Sequence, residues 1–167
     1  SVKEIGSSLF EGCSALTQAT ILSPIKAIES NSFSGCKSLK QISIPSSVLE
    51  IKSNAFEGCS SLSQIYIPDS VIKIEKSSFM GCTALTQIEI PASIKSLGEN
   101  CFERCSKLSQ LTINPYETTI ENNTFDKCNL LNQLIISSPI TTQFNYEKIG
   151  KITEITIPSS VKAIADY

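Results

Sequence analysis

Phe10, Phe33, Phe56, Phe79, Phe102 and Phe125 recur at one constant step, and Cys13, Cys36, Cys59, Cys82, Cys105 and Cys128 keep the same step three positions behind them. A fixed period between about 20 and 50 residues marks a solenoid, in which each unit buries its apolar face against the next. This constrains the chain more than any single motif does. An array of this kind offers a long surface for binding and few places where reactive groups converge.

One period with the first residue of the next, residues 39–62, reads LKQISIPSSVLEIKSNAFEGCSSL. Ile42 and Ile44 alternate with polar Gln41 and Ser43, the pattern of a half-buried strand. Pro45 has no amide donor and a fixed φ, so it ends the strand and begins a corner. Val48 and Ile51 point back inside from the opposite wall, on a second short extended segment. Ser53 and Asn54 offer oxygens to free amides, and residues 55–57 are long enough only for one helical or 3₁₀ turn. Gly58 closes that turn in the left-handed region, which glycine enters at little steric cost. Cys59 fills a small inward slot.

Two further columns hold the step without a gap: Leu16, Leu39, Leu62, Leu85, Leu108 and Leu131, and Ile21, Ile44, Ile67, Ile90, Ile113 and Ile136. With parallel strands about 4.7–4.9 Å apart, about seven rungs make a continuous sheet roughly 30 Å wide. The register falters twice, at 114–121, where Glu117 takes the slot used by Val48, and at 137–150. In the second place a deletion lies between Ile140 and Tyr146, and Tyr146 and Ile149 take over the Phe and Cys columns. Ile51 leads Phe56 by five, so Ile164 calls for a Phe beyond Tyr167, as expected of a piece of a longer array.

Composition removes whole classes of function. The net charge is −2, from 14 basic and 16 acidic side chains interspersed along the chain, so no clustered cations await a nucleic-acid backbone or an anionic bilayer. No stretch approaches the ~20 apolar residues that span a membrane. There is no His, which argues against most hydrolytic and metal-dependent chemistry. No cofactor or metal is expected, and the chain is expected not to be an enzyme.

The unit L-x-x-I-x-I-P-x-S-V-x-x-I-x-x-x-A-F-x-G-C-x-S resembles the 23-residue BspA-like class of leucine-rich repeats, with its best copies at 39–61 and 62–84. The resemblance covers essentially the whole chain apart from the irregular stretch around 137–148, and 1–167 reads as a single domain. It implies a right-handed solenoid with a parallel sheet on the concave face and short turns and a second extended segment on the other walls. It also implies a surface or secreted protein that adheres to a host cell or matrix through the concave sheet. The alternative is an intracellular scaffold for protein–protein interaction.

Among candidate sites, the cysteines read as an inward ladder of free thiols, small hydrophobes in an apolar column. Cys101, where other turns carry Ala55, Ser78 or Thr124, does not form a C-x-x-C pair with Cys105. Glu89 is a lone carboxylate on the outward strand face, without the second carboxylate that acid–base work needs. Asn122-Asn123-Thr124 is a glycosylation sequon, relevant only to a chain secreted by a eukaryote. The outward column Gln18, Gln41, Gln64, Gln87, Gln110 and Gln133 reads as a stiffening ladder of side-chain amides bonded rung to rung, with Glu154 at its end. The column Thr20, Ser43, Tyr66, Glu89, Thr112, Ile135 and Thr156 varies in chemistry while its neighbours do not, as a binding surface does. Tyr66 and Ile135 are expected to stand exposed as anchors. The candidate binding set is Ser43, Tyr66, Glu89, Thr112 and Ile135 with Gln64, Gln87 and Gln110, and the partner is a protein or a glycan.

Overall fold

The computed structural model describes residues 4–113, 118–136, 149, 152–157 and 159. Strands alternate between two walls. The first wall carries β1 (Gln18–Thr20), β3 (Gln41–Ser43), β6 (Gln87–Ile90), β8 (Gln110–Ile113), β10 (Gln133–Ile136) and β11 (Glu154–Thr156). The second carries β2 (Ala27–Ile28), β4 (Glu50–Ile51), β5 (Lys73–Ile74), β7 (Ser96–Leu97) and β9 (Thr119–Ile120). Every pairing is parallel and displaced by one repeat, Ile28 beside Ile51, Ile51 beside Ile74, Ile88 beside Leu111. The chain is a parallel solenoid, as the columns require, and the five-stranded second wall counts five consecutive turns.

The corner between the walls departs from the expected helical turn. Asn31, Asn54, Asn100 and Asn123 stand at φ 56–57° and Ser77 at φ 55°, while Gly12, Gly35, Gly58 and Gly81 stand at φ 69–73°. A helix cannot propagate through left-handed residues four positions apart. The corner is instead a succession of tight turns, closed by Glu57 N–H to Asn54 O at 3.1 Å and Cys59 N–H to Phe56 O at 3.1 Å. The intervening amides bond outward: Asn54, Phe56 and Gly58 donate to the carbonyls of Lys76, Ser78 and Met80 in the next turn. Asn is the recurrent choice because it tolerates the left-handed region better than other side chains.

Inside, the Phe column is a continuous stack from Phe10 to Phe125, with ring centroids 5.2–5.5 Å apart and planes within 3–17° of one another. The cysteines are buried beside it, except Cys13 on the first rung, and Ile149 is buried too. They are more than small hydrophobes. Cys36, Cys59, Cys82, Cys105 and Cys128 each point the thiol at the carbonyl of a Phe in the preceding turn, at 3.1–3.3 Å. The recurrent Ser of the P-x-S-V segment does similar work on the second wall. Ser47, Ser70 and Ser93 donate to Ile25 O, Val48 O and Val71 O at 2.6–2.8 Å.

The first wall is not the continuous sheet that the columns imply. It divides into the pair β1–β3 and the four strands β6–β8–β10–β11, with residues 64–67 between them belonging to neither. No backbone hydrogen bond links residues 64–67 to a neighbouring turn among the described residues. Ile65 is half-buried where Ile42 and Ile88 are buried. The second wall and the Phe stack run unbroken through this turn, so they hold it in place while its first-wall rung departs from pairing. The outward and inward pattern of the rung is that of its neighbours, and nothing in the local sequence explains the break.

Of the two irregular stretches, residues 114–117, 137–148 and 150 lie outside the described residues. At 118–121 the second wall keeps its register, Leu97 beside Ile120, and Thr118 Oγ1 bonds Ile94 O at 2.8 Å, as the serines do in earlier turns.

Candidate binding groove on the concave face

The unpaired rung lies in the floor of a groove of about 790 Å³ on the first wall. Its apolar base includes Ile42, Ile65 and Ile88, the inward residues of three successive turns. Its rim is polar because strand alternation sends every second side chain outward. Seven of the eight candidate residues line it: Ser43, Gln64, Tyr66, Gln87, Glu89, Gln110 and Thr112. Tyr66 is the aromatic among them, with 69% of its surface exposed. Ile135 lies outside the groove and is half-buried in β10, between Thr112 and Thr156, which corrects the expectation of an exposed anchor there.

Lys40 and Asp69 also line the groove, and sequence reasoning passed over both. Asp69 stands at the variable position of I-P-x-S, where other turns have Ser46 and Ala92. A charge at that place in one turn only was the available signal. With Lys40 opposed by Asp69 and Glu89, the ionisable side chains of the groove carry one net negative charge at neutral pH.

The glutamine column is aligned as expected, Gln18 beside Gln41 and Gln87 beside Gln110 beside Gln133. The amides do not form the expected ladder. Among the described residues only Gln133 bonds its neighbour, donating to Glu154 Oε2 at 2.7 Å. The others are wholly or partly exposed, and exposed amides find water without adopting one shared geometry.

That contrast extends across the molecule. On the second wall and the corners, hydroxyls bridge turns: Ser70 to Val48 O, Ser78 to Lys52 O at 3.1 Å, Thr124 to Gly98 O at 3.3 Å. Glu75 accepts from Ser53 N–H at 3.2 Å, Ser53 Oγ at 3.0 Å and Lys73 Nζ at 3.0 Å. In the groove, the side chains of Gln41, Ser43, Gln64, Tyr66, Asp69, Gln87 and Glu89 make no such bonds within the described residues. Their donors and acceptors face outward, available to a ligand.

The thiols of Cys36, Cys59, Cys82, Cys101 and Cys105 are chemically quiet. Burial pushes the Cys59 thiol up to about 12 and lifts those of Cys36, Cys82 and Cys101. Cys105 is raised first by the neighbouring Cys128 thiol and then by burial. A protonated, enclosed thiol is neither a nucleophile nor a metal ligand. No group of three or more His, Cys, Asp or Glu able to hold a metal occurs among the described residues. No described helix is long and apolar enough to cross a membrane.

A stack of parallel rungs with Leu and Ile columns inside and short parallel strands along two walls defines a leucine-rich-repeat solenoid. The chain belongs to the family described as BspA type leucine rich repeat region, whose model matches six copies over residues 3–79 and 49–167. Among solved structures it is similar to a leucine rich repeat protein of T. pallidum, 26% identical, with a TM-score of 0.70, covering 83% of this chain and 68% of that one. It also resembles a leucine-rich repeat protein from Bacteroides ovatus, 21% identical, with a TM-score of 0.58 over 98% of this chain and 66% of that one. A third is a leucine rich cell surface protein from Faecalibacterium prausnitzii, 17% identical, with a TM-score of 0.50 over 90% of this chain and 62% of that one. The chain thus spans about two thirds of the length of these structures. No curated protein matches it.

Proposed function

We propose that the chain is a non-enzymatic binding module of a surface or secreted protein, holding a host-cell or matrix component through its concave face. Family membership supports a binding scaffold, and the similarity to a cell surface protein accords with the location. The observation that carries the site is the distribution of hydrogen bonds. Hydroxyls of the second wall and the corners bridge turn to turn, whereas among the described residues the side chains of Gln41, Ser43, Gln64, Tyr66, Asp69, Gln87 and Glu89 make no such bonds and line one groove. Ser43, Gln64, Tyr66, Gln87, Glu89, Gln110 and Thr112 form the contact surface, with Ile135 at its margin.

Labelling intact cells with a membrane-impermeant reagent tests the location, and a wholly cytosolic pool overturns it. Tyr66→Ala with Glu89→Ala tests the site in an adhesion assay on immobilised matrix. We expect at least a tenfold loss of binding with unchanged melting, and retained adhesion by the folded double variant places the contact elsewhere. The second reading, an intracellular scaffold for protein–protein interaction, rests on the buried thiols, which suit a reducing compartment. Recovery of partners only from cytosolic extract, with no surface labelling, favours it.

A further inference from the structure

We infer that the groove over the unpaired rung takes a neutral oligosaccharide, an inference that rests on the concave face being the binding face. Among the described residues, 64–67 leave backbone donors and acceptors without protein partners in the middle of an otherwise paired wall. A peptide could answer them by adding a strand, but that needs about 9.5 Å between the strands on either side. The turns cannot open that far. β4, β5 and β7 stay paired behind the rung, and Phe33, Phe56 and Phe79 stay stacked at 5.2–5.5 Å. What can reach these groups is a ligand that approaches from above the face with small groups able both to donate and to accept. Hydroxyls on a sugar ring meet that requirement.

The side chains agree. Glu89 and Asp69 only accept, the amides of Gln64 and Gln87 do both, and Ser43 adds a hydroxyl, a mixed set that vicinal hydroxyls satisfy several at a time. Tyr66 exposes an aromatic face against which the polarised C–H face of a pyranose stacks, and its hydroxyl stays wet. The single net negative charge, from two carboxylates against Lys40, opposes sulfated and carboxylated glycans. A hydrated, polar groove exchanges water for ligand with little net gain, so a single site binds weakly.

Three probes test this: a panel of neutral oligosaccharides (xylohexaose, cellohexaose, mannohexaose and chitohexaose), heparin, and fibronectin before and after enzymatic deglycosylation. Titrations followed by calorimetry or NMR use the wild type, Tyr66→Ala, Tyr66→Phe and Glu89→Ala, with melting curves for each. We expect at least one neutral oligosaccharide to bind, heparin not to bind, Tyr66→Ala to weaken binding at least tenfold and Tyr66→Phe to retain most of it. Absence of binding across the neutral panel overturns the inference, as does tighter binding of heparin. If deglycosylated fibronectin binds as well as the intact glycoprotein and Tyr66→Ala weakens both, the ligand is a polypeptide. The glycan assignment then falls while the concave site stands. Binding that ignores both Tyr66→Ala and Glu89→Ala removes the site and the ligand together.

Discussion

The buried thiols make the solenoid sensitive to alkali, and the effect can be worked through from their positions. In the unfolded chain each Cys ionises near the ordinary thiol value of 9.0, whereas Cys59 is held at about 12 in the fold and Cys82, Cys101 and Cys105 are also raised. A folded value above the unfolded one means that stability is undiminished below pH 9. It falls as the pH rises further, because the unfolded state loses protons that the folded state retains. Between pH 8 and 10 a thiol held as high as that of Cys59 removes on the order of 1 kcal/mol, and the other raised thiols act in the same direction. Such losses weigh heavily against the stability of an ordinary domain, about 5–15 kcal/mol. Urea denaturation under a phosphine reductant, at steps from pH 7 to 10, should show a flat region and then a steep decline. Cys59→Ala should soften that decline by the share of one thiol, on the order of 1 kcal/mol. The variant starts lower because it loses the bond to Phe33 O. A stability that changes by under about 1 kcal/mol from pH 8 to 10, or an unaltered slope in Cys59→Ala, would mean that the thiols ionise freely in the fold. The inward ladder would then be wrong.

Phe56→Ala removes a fully buried ring from between Phe33 and Phe79 and should cost about 3–5 kcal/mol, read as a fall in the urea midpoint; near-native melting would show that the stack does not carry the fold. Arg104 and Lys127 occupy the glycine position of their corners at φ 62° and 60°, so Arg104→Gly and Lys127→Gly should each raise stability by about 0.5–1 kcal/mol in the same assay. Burial by itself raises the Glu75 carboxyl, but Lys73 and the Ser53 donors outweigh it and hold the group below its usual range. Its contribution is therefore present at neutral pH and lost as the pH falls through the folded value. Glu75→Gln should cost about 0.5–1 kcal/mol at pH 7 and flatten the acid limb of the stability profile, and an unchanged limb would refute the pairing. Gly98→Ala would place a Cβ 2.5 Å from the Lys76 amide nitrogen and should destabilise by about 1–3 kcal/mol, checked by thermal melting.

The repeat, the inward columns and the two walls were legible because each depends on one residue type recurring at one place in the period. A side chain that must meet its own counterpart once in every repeat leaves an unambiguous trace. The thiol bonds to the Phe carbonyls were not legible, since a buried Cys looks the same in sequence whether or not its S–H has an acceptor. The Asn column at the corners did carry its signal, and the expected helical turn failed because left-handed residues at Asn54 and Gly58 leave no room for one. In the candidate site the outward column pointed to Tyr66 and Glu89. It could not exclude Ile135, whose exposure depends on how tightly Thr112 and Thr156 stand beside it.

By itself, then, the sequence determined that this chain stacks parallel turns around a ladder of Phe and Cys, since no other arrangement buries every column at once. Only the tertiary structure decided that the concave wall is interrupted at residues 64–67, that the glutamines do not bond to one another among the described residues, and that Lys40 and Asp69 join Tyr66 and Glu89 around one groove. The reason is physical. Column identity follows from local alternation and period, whereas whether neighbouring rungs pair is settled by the balance of contacts across three turns, which no single repeat encodes.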